Sequence, residues 1–145
     1  MKFILSWKGP APITMVTALI VEDNVTFRGS LKETLHSRFP TMNITEAGDG
    51  QEALQKIKAS VPDLIFMDIK LPGENGLSLT RKIKIEYPDV VIVILTSYDL
   101  PEYREAAFQY HANYFITKAS LSAEIVEVVE SALSGLGKKG VKMNA

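Results

Sequence analysis

The chain has no cysteine, so it carries no disulfide, no thiolate metal site and no thiol nucleophile, and it suits a reducing cytosol. Histidine is scarce as well. His36 and His111 have no metal-ligand company and sit in no Ser-His-Asp set. A glycine-rich phosphate loop and a DxDxT hydrolase motif are both missing from the sequence. No apolar run approaches the roughly 20 residues of a membrane span, so no membrane partner is expected. The net charge is -1, and no excess of basic residues points to direct nucleic-acid contact. What remains is a 145-residue chain, 46% hydrophobic and 23% charged, with material for one ordinary core.

The ends read differently from the middle. Residues 1–14 (MKFILSWKGPAPIT) are apolar after one lysine but too short for a secretory signal, and read as a leader or tag-like segment. Residues 15–134 read as one domain. Residues 135–145 (GLGKKGVKMNA) read as a flexible tail that begins where Gly135 stops the last helix.

Between the ends, short apolar runs alternate with helical patterns. The runs are TALIV (17–21), MNITE (42–46), DLIFM (63–67), VVIVIL (90–95) and NYFIT (113–117). Unbroken apolar strands such as VVIVIL suit a sheet covered on both faces. Asp23-Asn24 can cap a helix in which Phe27, Leu31 and Leu35 recur every fourth residue. Gly48-Asp49-Gly50 opens a second helix with Ala53, Leu54 and Ile57 inward, and Val61-Pro62 ends it. Asn75-Gly76 opens a third with Leu79 and Ile83 inward. Pro101 suits the first turn of a fourth, which carries Tyr103, Ala106, Ala107 and Tyr110. Ser120 can cap a fifth with Leu121, Ile125, Val128, Val129 and Ala132 inward. Five β–α units in strict alternation predict an α/β, doubly wound, five-stranded parallel sheet with strand order 2-1-3-4-5, flavodoxin-like, with helices on both faces.

Ligands of such sheets bind outside the carboxyl ends of the strands. Glu22 and Asp23 follow the first run, Asp68 the third, Thr96 and Ser97 the fourth, and Lys118 the fifth. Alone, each has an ordinary reading: a helix-capping pair, a solvated loop acid, a strand-end hydroxyl, a structural counter-ion. Together they are three carboxylates, a hydroxyl and an ammonium on one edge. Three carboxylates repel unless a cation lies among them, and hard oxygen donors suit Mg²⁺. A carboxylate beside that ion can attack a phosphoryl group and become an acyl phosphate. The metal, Lys118 and Thr96 would then stabilise the transferred charge. No general base is needed, because the nucleophile is ionised at neutral pH.

The stretches LIVEDN (19–24), FMDIKLPGENGL (66–77), ILTSYD (94–99) and YFITKAS (114–120) resemble, in order and spacing, the four signature blocks of two-component response-regulator receivers. Lys-Ala-Ser at 118–120 and Thr-Ser-Tyr at 96–98 are similar to receivers usually fused to a LuxR-type helix-turn-helix. The resemblance implies that Asp68 is the phosphoacceptor and that Glu22 and Asp23 hold Mg²⁺, with the Lys70 carbonyl as a further ligand. It implies that Thr96 and Lys118 engage the phosphoryl group. Phe115 is implied to be the switch aromatic that moves inward, and Lys70 and Tyr98 to tune the acyl-phosphate lifetime. It implies no enzyme in the ordinary sense, since the domain catalyses only its own phosphorylation and dephosphorylation. A sensor histidine kinase or phosphotransfer protein would be the donor, in the cytoplasm. The face of helix four, strand five and helix five would change to act on an output domain or partner, with homodimerisation as one outcome. A fused DNA-binding output domain is compatible with the resemblance. Two departures stand out: Ala119 where many receivers have proline, and His111 and Asn113 where a pair of small residues is usual. The competing readings are a pseudo-receiver that takes no phosphate and a flavodoxin-like small-molecule binder or hydrolase.

Overall fold

The computed structural model describes residues 15–138; the segments read as a leader (1–14) and most of the expected tail (139–145) lie outside the described residues. Five strands alternate with five helices: β1 (Thr17–Val21), α1 (Val25–Arg38), β2 (Asn43–Ala47), α2 (Gly50–Ala59), β3 (Leu64–Asp68), α3 (Gly76–Glu86), β4 (Val91–Thr96), α4 (Pro101–Gln109), β5 (Tyr114–Thr117) and α5 (Leu121–Lys138). The strands form one parallel sheet in the order β2-β1-β3-β4-β5, as the alternation predicts. In register, Leu19 pairs with Ile65, Ile65 with Ile92, and Ile94 with Phe115.

Each strand side meets its own core. Leu19, Val21, Ile65, Met67, Ile92 and Ile94 face Ala53 and Ile57 of α2, Leu79 and Ile83 of α3, and Ala107 of α4. Ala18, Ile20, Leu64, Phe66, Val93 and Leu95 face Leu31 and Leu35 of α1 and Ile125, Val129 and Ala132 of α5. All five β3 residues are buried, which is why Leu64–Met67 ahead of Asp68 are all apolar and do not alternate.

Local chemistry sets the helix ends. Asn24, Asp49 and Asn75 cap α1, α2 and α3, their side-chain oxygens accepting the N–H of Phe27, Glu52 and Leu77. Pro101 opens α4, whose N-cap Leu100 supplies no side-chain bond. Three expectations shift. β2, β3 and β4 each lie one residue later than the apolar runs, and β5 starts one later, so Asp68 and Thr96 are the last residues of their strands. Ser120 does not open α5 as a cap: residues 118–120 form a 3₁₀ turn, and its hydroxyl bonds Thr117 Oγ1 (2.9 Å) and the Thr117 carbonyl (3.3 Å). Helix α5 does not stop at Gly135 but runs to Lys138, because a glycine weakens a helix without ending it.

Candidate phosphoacceptor site

The site forms where β1, β3, β4 and β5 end together. Glu22 follows β1 and is 3% exposed, Asp68 ends β3 at 6%, and Thr96 ends β4 fully buried. Lys118, in the 3₁₀ turn after β5, is partly exposed. Asp23 is exposed beside them. Carboxylate oxygens of Glu22, Asp23 and Asp68 lie within 4.8 Å of one another. The Lys118 ammonium reaches back over β4 to lie 2.6 Å from Glu22 Oε1 and 3.3 Å from Asp68 Oδ2. The Asp68 contact is a well-aligned hydrogen bond; the Glu22 contact is shorter but less well aligned, and it is the Lys118 ammonium that faces the buried Oε1.

The backbone holds the acids in place. Ile69 N–H donates to Asp68 Oδ1 at 2.8 Å, and Asn24 N–H donates to Glu22 Oε2 at 2.9 Å. Burial pushes the Asp68 carboxyl up to about 6, helped by the Glu22 charge and opposed by Lys118. Asp68 therefore remains mostly ionised at pH 7, though with far less margin than an ordinary aspartate. Burial works against the Lys118 charge, but the hydrogen-bonding and Coulombic pull of Glu22 and Asp68 outweighs it, and its pKa is raised.

Thr96 Oγ1 accepts the Tyr98 N–H at 3.0 Å. Phe115 is 8% exposed, inside the core on the α4 side, with the Arg104 guanidinium 4.5 Å above its ring. Arg104 also pairs with Asp99 at 3.0 Å, in the loop after Thr96. The Lys70 side chain turns outward, its ammonium 5.2 Å from the Tyr98 ring and 5.5 Å from the Tyr103 ring. Hydrogen bonding to Tyr103 raises the Lys70 pKa.

The loop after Asp68 closes tightly. Gly76 N–H donates to the Ile69 carbonyl at 2.8 Å, and a β-carbon on Gly76 would fall 1.9 Å from the Asp68 carbonyl oxygen. Only glycine fits there. Gly73, at φ +79°, makes the preceding turn.

Four contributors were not read from the sequence as such. Arg28 binds the Glu22 carbonyl (2.7 Å) and Glu46 (2.9 Å), bracing the acidic loop. Phe27, read only as core, lies against Lys118. Arg104 covers Phe115. Asn113 gains a role: its Oδ1 accepts the Ile92 N–H (2.9 Å) and Lys84 Nζ (3.1 Å), tying the β5 entrance to β4 and α3. His111 adopts φ +71°, a conformation that favours the small residue usual at this turn.

Such a sheet with an acidic cluster, a hydroxyl and a lysine at its carboxyl edge defines a signal-receiver class of domain. The sequence profile of the response regulator receiver domain matches residues 18–130. The chain belongs to that family and is a receiver domain of the two-component type. It is 31% identical over 117 residues to the transcriptional activator protein ExaE of Pseudomonas putida, covering 81% of this chain and 55% of that protein. Its fold is similar to a LuxR-family response regulator from Aurantimonas sp. SI85-9A1 (TM-score 0.78, 29% identity, 84% of this chain and 87% of that one). It is also similar to a CheY-like receiver domain from Methanospirillum hungatei JF-1 (TM-score 0.81, 25% identity, 88% and 100%). The chain spans about half the length of the curated relatives it matches. Among the described residues, no helix is long and apolar enough to cross a membrane.

Proposed function

We propose that Asp68 accepts a phosphoryl group from a phosphohistidine donor, a sensor histidine kinase or phosphotransfer protein, and that the acyl phosphate switches the α4–β5–α5 face. The observation that carries this reading is the convergence of Glu22, Asp23 and Asp68 within 4.8 Å, with Lys118 against two of them. The donor set fits Mg²⁺: the oxygens are hard, they are crowded, and the buried Glu22 Oε1 has an imperfectly aligned partner in Lys118. Glu22, Asp23 and Asp68 would hold the ion, with the Lys70 carbonyl as a further ligand. When bound, it would screen the phosphoryl oxygens from the carboxylates.

Asp68 attacks phosphorus as the bond to the donor nitrogen breaks, and the imidazole leaves with a proton from solvent. Lys118, already beside Asp68, follows the charge onto the phosphoryl oxygens. Thr96 donates its hydroxyl to one of them. Its Oγ1 accepts the Tyr98 N–H and keeps its own proton to donate, so a swing of Oγ1 toward the phosphoryl group draws the loop bearing Tyr98 and Asp99 with it. Arg104 and Phe115 are tied to that loop and carry the change to α4 and β5. Lys70 and Tyr98 flank the approach of water and set the lifetime of the phosphate. The domain is no enzyme beyond turning over its own phosphate. It acts in the cytoplasm, through homodimerisation or on an output domain. The relative named as a transcriptional activator supports an output in transcription.

The test is intact mass after incubation with acetyl phosphate, with and without Mg²⁺, on wild type and Asp68→Asn. A phosphoryl gain that needs Mg²⁺ and vanishes in the variant is expected. No gain, with beryllofluoride also failing to bind, would make the domain a pseudo-receiver.

A further inference from the structure

The row Phe27, Leu31, Leu35 runs along α1. Leu31 and Leu35 are buried against the sheet, but Phe27 is only partly covered. The row leaves the core at its amino-terminal end and arrives at the site. There the Phe27 ring centroid lies 4.4 Å from the Lys118 ammonium. That ammonium has carboxylates on one side, Glu22 Oε1 at 2.6 Å and Asp68 Oδ2 at 3.3 Å. The ring supplies another wall.

We propose that Phe27 is a positioning residue for Lys118, holding the ammonium over the acceptor by a cation–π contact. This deepens the reading of Asp68 as phosphoacceptor and rests on it. The lysine springs from the end of β5 and must cross the end of β4 to reach β3 and β1. An arm of that length has many rotamers that miss the acceptor. Carboxylates alone hold it poorly through the reaction, because transfer moves the charge from Asp68 onto the phosphoryl oxygens. The ring's attraction does not change as the charge moves. Its backbone is also fixed: Phe27 N–H donates to the Asn24 cap at 2.9 Å. A partly desolvated cation–π contact corresponds to about three- to thirty-fold in an equilibrium.

The test compares wild type, Phe27→Leu and Phe27→Tyr in the whole chain. Lys118 is followed by the ring-current shift of its ε-methylene in ¹³C-lysine NMR spectra. Beryllofluoride affinity in saturating Mg²⁺ and Mg²⁺ affinity alone are measured beside it. The leucine variant is expected to lose the upfield ε-methylene shift and to bind beryllofluoride about ten-fold more weakly, with Mg²⁺ affinity not weakened. The tyrosine variant, which keeps a ring, should rescue both readouts. The proposal is overturned if Phe27→Leu leaves the shift and the beryllofluoride affinity unchanged. It is also overturned if that variant weakens Mg²⁺ and beryllofluoride alike, the mark of a disturbed acidic loop. If wild type itself binds no beryllofluoride and takes no phosphoryl group, the phosphoacceptor reading fails. The ε-methylene shift then decides the contact by itself: present in wild type and lost in Phe27→Leu supports it, absent in wild type overturns it.

Discussion

Replacing Asp68 by asparagine should stabilise the fold at neutral pH while abolishing phosphoryl acceptance. The carboxyl titrates near 6 in the folded chain because it is buried beside Glu22, against an ordinary value of 3.8. Ionising it in the folded state therefore costs about 3 kcal/mol more than in the unfolded chain. The folded state binds this proton more tightly than the unfolded chain does. Stability from Asp68 is thus whole below about pH 4 and is lost as the pH rises through about 6. Asparagine keeps the shape and discards the charge. It also removes a partner of Lys118, which offsets part of the gain. A net stabilisation of about 1–2 kcal/mol at pH 7.5 is expected.

Urea unfolding in EDTA at several pH values between 4 and 8 measures this. With a slope of about 1–3 kcal/mol per molar, the midpoint of Asp68→Asn should lie roughly 1 M above wild type at pH 7.5. The gap should close as the pH falls toward 4. Millimolar Mg²⁺ should also narrow it, by stabilising wild type alone. A variant less stable than wild type, or a gap that ignores pH, would refute the reasoning.

Gly76→Ala forces a β-carbon onto the Asp68 carbonyl oxygen, so the acceptor loop must open; a loss of about 1–3 kcal/mol in urea unfolding and a slower gain of phosphoryl mass are expected. Arg28→Ala removes two bonds that brace the acidic loop, and should cost about 1–3 kcal/mol and weaken Mg²⁺ binding by calorimetry. Arg104→Ala should change stability by less than about 1 kcal/mol, since the side chain is half exposed, yet uncover the ring position of Phe115. A reporter Phe115→Trp in a Trp7→Phe background should show red-shifted emission when Arg104 is lost.

The fold was legible because the central strands β3 and β4 are buried on both faces and so read as apolar runs, and because α1, α2 and α3 open on capping side chains. Strand ends were misplaced by one because Asp68 and Thr96 are polar but still paired: Asp68 registers with Leu95 and Thr96 with Thr117. Ser120 was misread because its hydroxyl has a nearer partner in Thr117. The charged part of the site was legible because α/β topology sends the residue after each strand to one edge. Phe27 and Arg104 were not. Each touches a site residue far away in sequence through a ring or a guanidinium, and neither carries a local pattern that separates it from ordinary helix residues.

The Asp68 carboxylate is a poor choice for stability and a good one for a switch. Burial beside Glu22 raises its energy when ionised, and Lys118 compensates only in part. Anything that disperses this charge is favoured there, whether a proton, a cation or a phosphoryl group. Of these, only the phosphoryl group adds oxygens that reach beyond the carboxylate toward the hydroxyl of Thr96. That hydroxyl accepts the Tyr98 N–H with its proton still free to donate, so moving its oxygen toward the phosphoryl group pulls on the β4–α4 loop. A ligand shifts a conformational equilibrium only by its differential affinity for the two states. On this reasoning a proton or Mg²⁺ on Asp68 should steady the acidic cluster and leave the α4–β5–α5 face alone, whereas the proposed phosphoryl group should move both.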